Sequence, residues 1–288
     1  MTERASQVRS GSSLRSGAGV TAAISWIAPG IVWLLTFLGI PSVLLLALAF
    51  ATRGSYGEIL WTPTLHNFKK LAGFGIFGWS SDYLWILWRT VWLATITTLA
   101  CIVLAYPMAL FVAARETHWR SFWLIVLMIP FCTNLVVRTY GWQLVFSLVG
   151  KSAIYPGPVA VYIGMISSNL SFAVLPIYTS VERIDWSIAE AARDLYGSRW
   201  TVFRHGILPQ TIPGLAVAAI ITFIPCLGMF VVPDLLGGGR YLLLGNLIQQ
   251  QFGPSRDFPF GAALSFTLIV ATLVALRLYR RPAEETGL

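Results

Sequence analysis

Residues 187–209 read SIAEAARDLYGSRWTVFRHGILP, and the fold of the chain turns on how this stretch is understood. Ile188, Ala192, Leu195, Val202 and Phe203 recur near helical spacing, while Glu190, Arg193, Asp194, Arg199 and Arg204 point elsewhere. This is an amphipathic helical pattern, interrupted at Gly197, where a missing Cβ lowers the cost of a turn. Strongly apolar segments flank it on both sides. An amphipathic loop between membrane spans lies on the lipid surface, folds onto its own bundle, or docks into a soluble partner. Docking into a soluble partner is the expectation for this loop. Ser187-x-x-Glu190 also has the form of a capping box, in which the serine caps the helix start and the glutamate reaches back to its amide. A capped, rigid helix suits docking, so the two roles are compatible.

The rest of the chain is that of an integral membrane protein. Of 288 residues, 56% are hydrophobic and 11% charged, against about 25% charged in a soluble domain. Mean hydropathy is +0.71. Six spans are expected, at about 24–51, 83–114, 121–149, 159–179, 212–236 and 260–279, within a membrane domain covering 21–282. Residues 1–20 and 283–288 read as tails, and the long first apolar run excludes a cleaved signal, whose core is about 7–15 residues. Pro29 and Pro41 are expected to bend or trim the first span. The third span, with Pro130, Asn134 and Arg138, is the most polar. Segments 52–83 and 237–259 read as loops.

Basic residues in the tails, the 115–120 turn and the 187–209 loop outnumber those in the other loops. Both termini and the docking loop are therefore expected in the cytoplasm, the remaining loops outside. The net charge of +8 is read as topology. Cys101, Cys132 and Cys226, all in apolar runs, are expected to be packing residues, and the scattered histidines hold no metal.

No catalytic set is visible. VGKS at 149–152 falls short of a phosphate-binding loop, because the glycine required five residues before Gly150 is Val145. The chain therefore has no nucleotide site and no energy source of its own. Asn134, Arg138, Tyr140, Asn169 and Asp234 are polar or aromatic groups at or near membrane depth, where a charge at a helix centre costs roughly 2.5–3.5 kcal/mol on insertion scales. They are expected to line a route through the bundle. The plainer alternative is that Arg138 and Asp234 reach the interface from helix ends and that the polar face glues helices together.

Glu190-Ala191-Ala192, with Leu208-Pro209 closing the loop, resembles the EAA motif of bacterial ABC importer permeases. That motif carries glycine six residues after the glutamate and isoleucine three before the proline; here Tyr196 and Gly206 hold those places, with Gly197 and Ile207 one residue later. IPFCTNLVVRTYGW (129–142), LPIYTSVERID (175–185), DLLGGGRYLLLGNLI (234–248) and RDFPFGAALS (256–265) resemble, in the same order, the permease subunit of spermidine/putrescine importers. The turn after the third span is shorter than is usual there, and SSNLSF replaces a more apolar stretch in the fourth.

The resemblance implies an all-α, six-span MetI-like fold with a cytoplasmic coupling helix. It implies a second permease subunit, two ATPase subunits that carry the ATP-Mg, and an extracytoplasmic binding protein, all in a bacterial inner membrane. It assigns Glu190, Ala191, Ala192, Tyr196, Gly197, Leu208 and Pro209 to coupling with the ATPase, and polyamines to the route. The alternatives are the same machine with another ligand (ferric iron, an oxyanion or an aminophosphonate), or a self-contained channel or ion-driven carrier. Nothing points to nucleic acid.

Overall fold

A computed structural model describes residues 27–54, 57–75, 78–149, 154–196, 198–239 and 241–285. The expected tail at 1–20, Gly197, and part of the 149–152 turn lie outside them. Helix α1 (Ile27–Ala49) passes Pro41 without a break, through a π-helical turn at Leu35–Gly39. Two short hairpins, β1–β2 (Thr52–Arg53, Ile59–Leu60) and β3–β4 (Phe74–Gly75, Gly78–Trp79), flank helix α2 (His66–Leu71). The segment expected as a plain loop is thus partly ordered. Next come α3 (Asp82–Ala113), α4 (Thr117–Cys132), α5 (Leu135–Val149), α6 (Pro158–Val181) and α7 (Trp186–Tyr196). The chain ends with α8 (Arg199–Gly228), α9 (Val231–Gly237), α10 (Leu244–Phe252) and α11 (Phe258–Glu285).

Two expected spans are corrected. The third is not one helix: α4 and α5 meet at 87° across Thr133 and Asn134. Pro130 cannot donate to the helical ladder, and Asn134 restarts it by accepting the Val136 amide at 2.8 Å. The fifth does not begin at Ile212. Helix α8 starts at Arg199 and runs through a π-helical turn at Phe203–Ile207, past Pro209 and Pro213, to Gly228. It stops there, and the chain from Val231 re-enters a separate short helix. Extra carbonyl freedom in the π-turn lets the helix absorb prolines that hydropathy reads as its start.

The core is α3, α6 and α8, packed pairwise. Hydrocarbon tails are as apolar as leucine, so association inside a bilayer rests on close van der Waals packing and small contact residues. Ala94, Ala105, Ala109, Ala173 and Ala218 are accordingly buried at these contacts. At Gly214 a Cβ would lie 2.7 Å from the Pro176 carbonyl oxygen, so glycine lets α8 touch α6 backbone to side chain. Two apolar clusters stack along the core. One holds Leu93, Met165 and Phe223, the other Cys101, Ala173 and Ala218. Cys101 and Cys226 are buried as expected, but Cys132 at the end of α4 is exposed, because the elbow after it carries the chain away from the core.

Helix α11 packs on α8 and α10, and α1 packs on α11. At the end opposite α7, Asn67 donates to the carbonyls of Ala49 and Ala51 at 2.9 and 2.8 Å. Lys70 pairs with Asp257 at 3.3 Å, whose other oxygen accepts the Phe260 amide at the start of α11. The loops at that end are thereby tied to the helices they join.

Candidate functional site

Helix α7 and the base of α8 form one unit. Asp185, not Ser187, caps α7: its Oδ1 accepts the Ser187 N–H at 2.9 Å. The expected capping box is therefore displaced, since the helix begins at Trp186 and Ser187 already lies inside it. Hydrogen bonds from the Ser187 hydroxyl and then from the Ser187 amide hold the Asp185 carboxyl below its ordinary value, because they favour the charged form. Gln210, on α8, fastens the unit. Its Oε1 accepts the Asp185 amide at 2.9 Å, and its Nε2 donates to the Gly206 carbonyl at 2.7 Å and the Asp185 carbonyl at 3.3 Å. Nothing in the sequence pattern singled out Gln210; a polar residue immediately after a docking motif has no periodic signature.

The small residues of the motif explain the packing. Ala189 and Ala192 are buried, and a Cβ on Gly206 would come within 3.2 Å of both the Ala189 Cα and the Ala192 Cβ. Only glycine at 206 and alanine at 189 and 192 let the π-turn and α7 lie this close. The opposite face is bare: Glu190, Ala191, Arg193 and Asp194 are exposed, as are Trp186, Ile188, Leu195 and Trp200. Leu208 is half-buried and Pro209 exposed. Tyr196 closes α7, and Gly197 lies outside the described residues. The result is a rigid helix, fixed by one face and offering a mixed apolar and charged face.

The residues expected to line a route fall into three places. Asn134, Arg138 and Tyr140 sit at the elbow of α4 and α5. Arg138 donates through Nη1 to the Pro130 carbonyl, spanning the break, and Thr133 Oγ1 donates to the same oxygen at 2.7 Å. The Pro130 carbonyl is free because the helix ends there. A cavity of about 330 Å³ opens inside the elbow, between Met108, Leu127, Pro130, Arg138, Ser167 and Ser171. Thr133, Asn134 and Tyr140 are exposed. Irregular backbone at membrane depth is tolerated only where protein or water covers it, so the elbow faces one of these and not lipid.

Asp234 lies in the first turn of α9, exposed, after the break at Met229 and Phe230. The Phe230 carbonyl accepts both the Asp234 amide at 3.0 Å and Asn246 Nδ2 at 2.9 Å, so α10 holds the break that presents the acid. Helix α9 packs against α5. Arg138 nevertheless bonds a backbone carbonyl, and the two ion pairs found among the described residues, Lys70–Asp257 and Arg120–Glu182, include neither it nor Asp234. Asn169 stands apart. It is fully buried, between the two apolar clusters, and donates to its own helix at Met165.

Residues 102–281 match the family of the binding-protein-dependent transport system inner membrane component. The chain is 35% identical over 266 residues to the spermidine/putrescine transport system permease protein PotB of Escherichia coli (strain K12), covering 88% of this chain and 94% of that one. It is 29% identical over 305 residues to the inner membrane ABC transporter permease protein YdcU of the same strain, covering 92% and 93%. Among solved structures, a chain of a bacterial alginate ABC transporter, in complex with a periplasmic protein bound to alginate pentasaccharide, superposes with a TM-score of 0.69 at 16% identity. That match covers 95% of this chain and 98% of the other. A chain of the MetNI methionine ABC transporter in an inward-facing conformation gives 0.57 at 16% identity, covering 73% and 100%. The fold is the MetI-like fold of ABC importer permeases, and the chain belongs to the family of binding-protein-dependent transport system inner membrane components.

Proposed function

We propose that this chain is the polyamine-conducting permease subunit of an ABC importer, with α7 as its coupling helix. The observation that carries the reading is the α7 unit: one face locked onto α8 by Ala189, Ala192, Gly206 and Gln210, the other bare. A helix held this way inserts into a groove on a soluble subunit and transmits its displacement directly to α8, a helix of the core. The likeness to spermidine/putrescine permeases over 88% of the chain supports the ligand.

In this reading ATP-Mg binds two partner ATPase subunits, whose closure moves α7 and its counterpart on a second permease. The pair then switches the side to which the route opens, and an extracytoplasmic binding protein delivers the ligand. The chain itself hydrolyses nothing. It lies in the bacterial inner membrane with both termini cytoplasmic. The cationic ligand meets Asp234 on its carboxylate and Tyr140 on its ring face. Arg138, fastened to Pro130, holds the elbow closed and repels a cation until the elbow moves; Asn134 caps the moving arm. Asn169 serves the route from within the bundle.

Uptake of labelled spermidine, putrescine, iron and sulfate by proteoliposomes holding the full complex tests this. ATP-dependent uptake of the polyamines alone is expected. Uptake of iron or sulfate in their place would overturn the ligand, and uptake without the ATPase would overturn the class.

A further inference from the structure

Between the α7-end half of α3 and the middle of α4 runs a groove of about 440 Å³, lined by Pro107, Met108, Phe111, Val112, Trp123 and Leu127. Every lining residue is apolar. Pro107 lies inside α3, and Phe111 meets Trp123 edge to face with centroids 5.4 Å apart. The groove sits close to the bilayer surface. From Pro107 to Ala113, the last residue of α3, the rise is about 9 Å at 1.5 Å per residue. That is less than half of a hydrocarbon core about 30 Å thick, and Leu127 on the other wall, about 15 Å along α4 from Thr117, reaches the middle of that core, so the groove runs about the depth of one leaflet.

A cation stands at its rim. The Arg115 guanidinium lies 4.4 Å from the centroid of the Phe111 ring that forms the groove wall, and Arg115 is exposed. Its neighbour Arg120 is already engaged. Arg120 pairs with Glu182 at 3.7 Å and donates Nε to the Arg115 carbonyl at 2.6 Å. Arg115 is in neither ion pair found among the described residues. Glu116 beside it is exposed at the start of α4, and is the nearest opposing charge in sequence.

We propose that this groove binds one anionic phospholipid, with an acyl chain along Pro107–Val112 and Trp123–Leu127 and the phosphate on Arg115. The chemistry selects this occupant. An acyl chain brings no hydrogen-bonding group into a wall that offers none, and a phosphate oxygen accepts from a guanidinium in the bidentate geometry arginine favours. Basic positions between membrane helices at the cytoplasmic surface are where anionic headgroups gather. Under the orientation proposed above this is the inner leaflet, and the site ties the α3–α4 turn, beside α6 and Glu182, to the lipid surface.

The test uses the purified transporter complex, delipidated in detergent and then supplied with phosphatidylglycerol or phosphatidylcholine, with bound lipid read by native mass spectrometry. The wild type is expected to retain phosphatidylglycerol in preference to phosphatidylcholine. Arg115→Gln should lower that retention about fivefold, the ratio set by roughly 1 kcal/mol for one arginine at a membrane surface. Met108→Trp, which fills the groove, should abolish it, and Glu116→Gln should raise it. Arg53→Gln, the same charge change at the opposite end, should leave it unchanged. Equal retention of both lipids, or an Arg115→Gln complex that retains as much as wild type, overturns the proposal. So does a complex that retains no lipid here because the second permease covers the groove.

Discussion

At the residue scale the packing of α7 on α8 depends on the space left by one glycine and on one carboxylate. Gly206→Val puts a branched side chain where 3.2 Å separates a Cβ from Ala189 and Ala192. We expect an overpacking cost of about 1–3 kcal/mol and a permease that inserts but no longer co-purifies with its ATPase. Full association of the variant would show that α7 can dock without lying on α8. The cap makes a second prediction. Asp185→Ala should speed hydrogen exchange at Ser187, and Asp185→Asn should not. Since the folded carboxyl titrates below its unfolded value, the cap is complete above the ordinary carboxylate range and fades only as pH falls through the depressed value. The cap is therefore complete across neutral pH. Glu190, which lies exposed on α7, was marked by the motif alone. Asp185 and Gln210 were not, because hydrogen bonds between segments twenty-five residues apart leave no local pattern.

At the element scale the notable features are the breaks. Hydropathy reads apolarity and length, so it placed one span where α4 and α5 stand at 87°: direction is not encoded in composition. Pro130 and Asn134 were both noticed, yet prolines also sit inside the unbroken α3, α6 and α8, so proline alone does not announce an elbow. What decides it is the capping asparagine just after. If the elbow lines water, Cys132, exposed beside Thr133 and Asn134, should react with a charged, membrane-impermeant thiol reagent in at least one nucleotide state of the transporter. The buried Cys101 and Cys226 should not. Protection of Cys132 in every state would place protein over the elbow. Asp234, held at the second break, gives a companion test: Asp234→Asn should cut polyamine uptake while leaving assembly intact. Normal uptake would remove it from the route.

At the scale of the whole molecule the sequence was most informative. Apolar runs and one amphipathic loop were enough to show an all-helical membrane protein, the elbow and the start of α8 apart, because a bilayer restricts a chain to a few arrangements. The side each loop faces remains a prediction. A cysteine placed at Arg199 should label only from the cytoplasm and one at Gly238 only from outside; the reverse at position 199 would invert the molecule.

Helix α1 touches the body through α11, and its most apolar stretch has no residue buried within the chain. Its sequence is consequently answerable to its surroundings more than to this fold. In a saturation mutagenesis screen for folding, aliphatic exchanges from Ile27 to Ile40 should pass unnoticed. Ala49, wholly enclosed at the helix end, should tolerate almost none. Along this one helix the tolerance to inherited change would thus run from nearly complete to nearly nil, drawing the boundary between what the folded chain specifies and what its surroundings do.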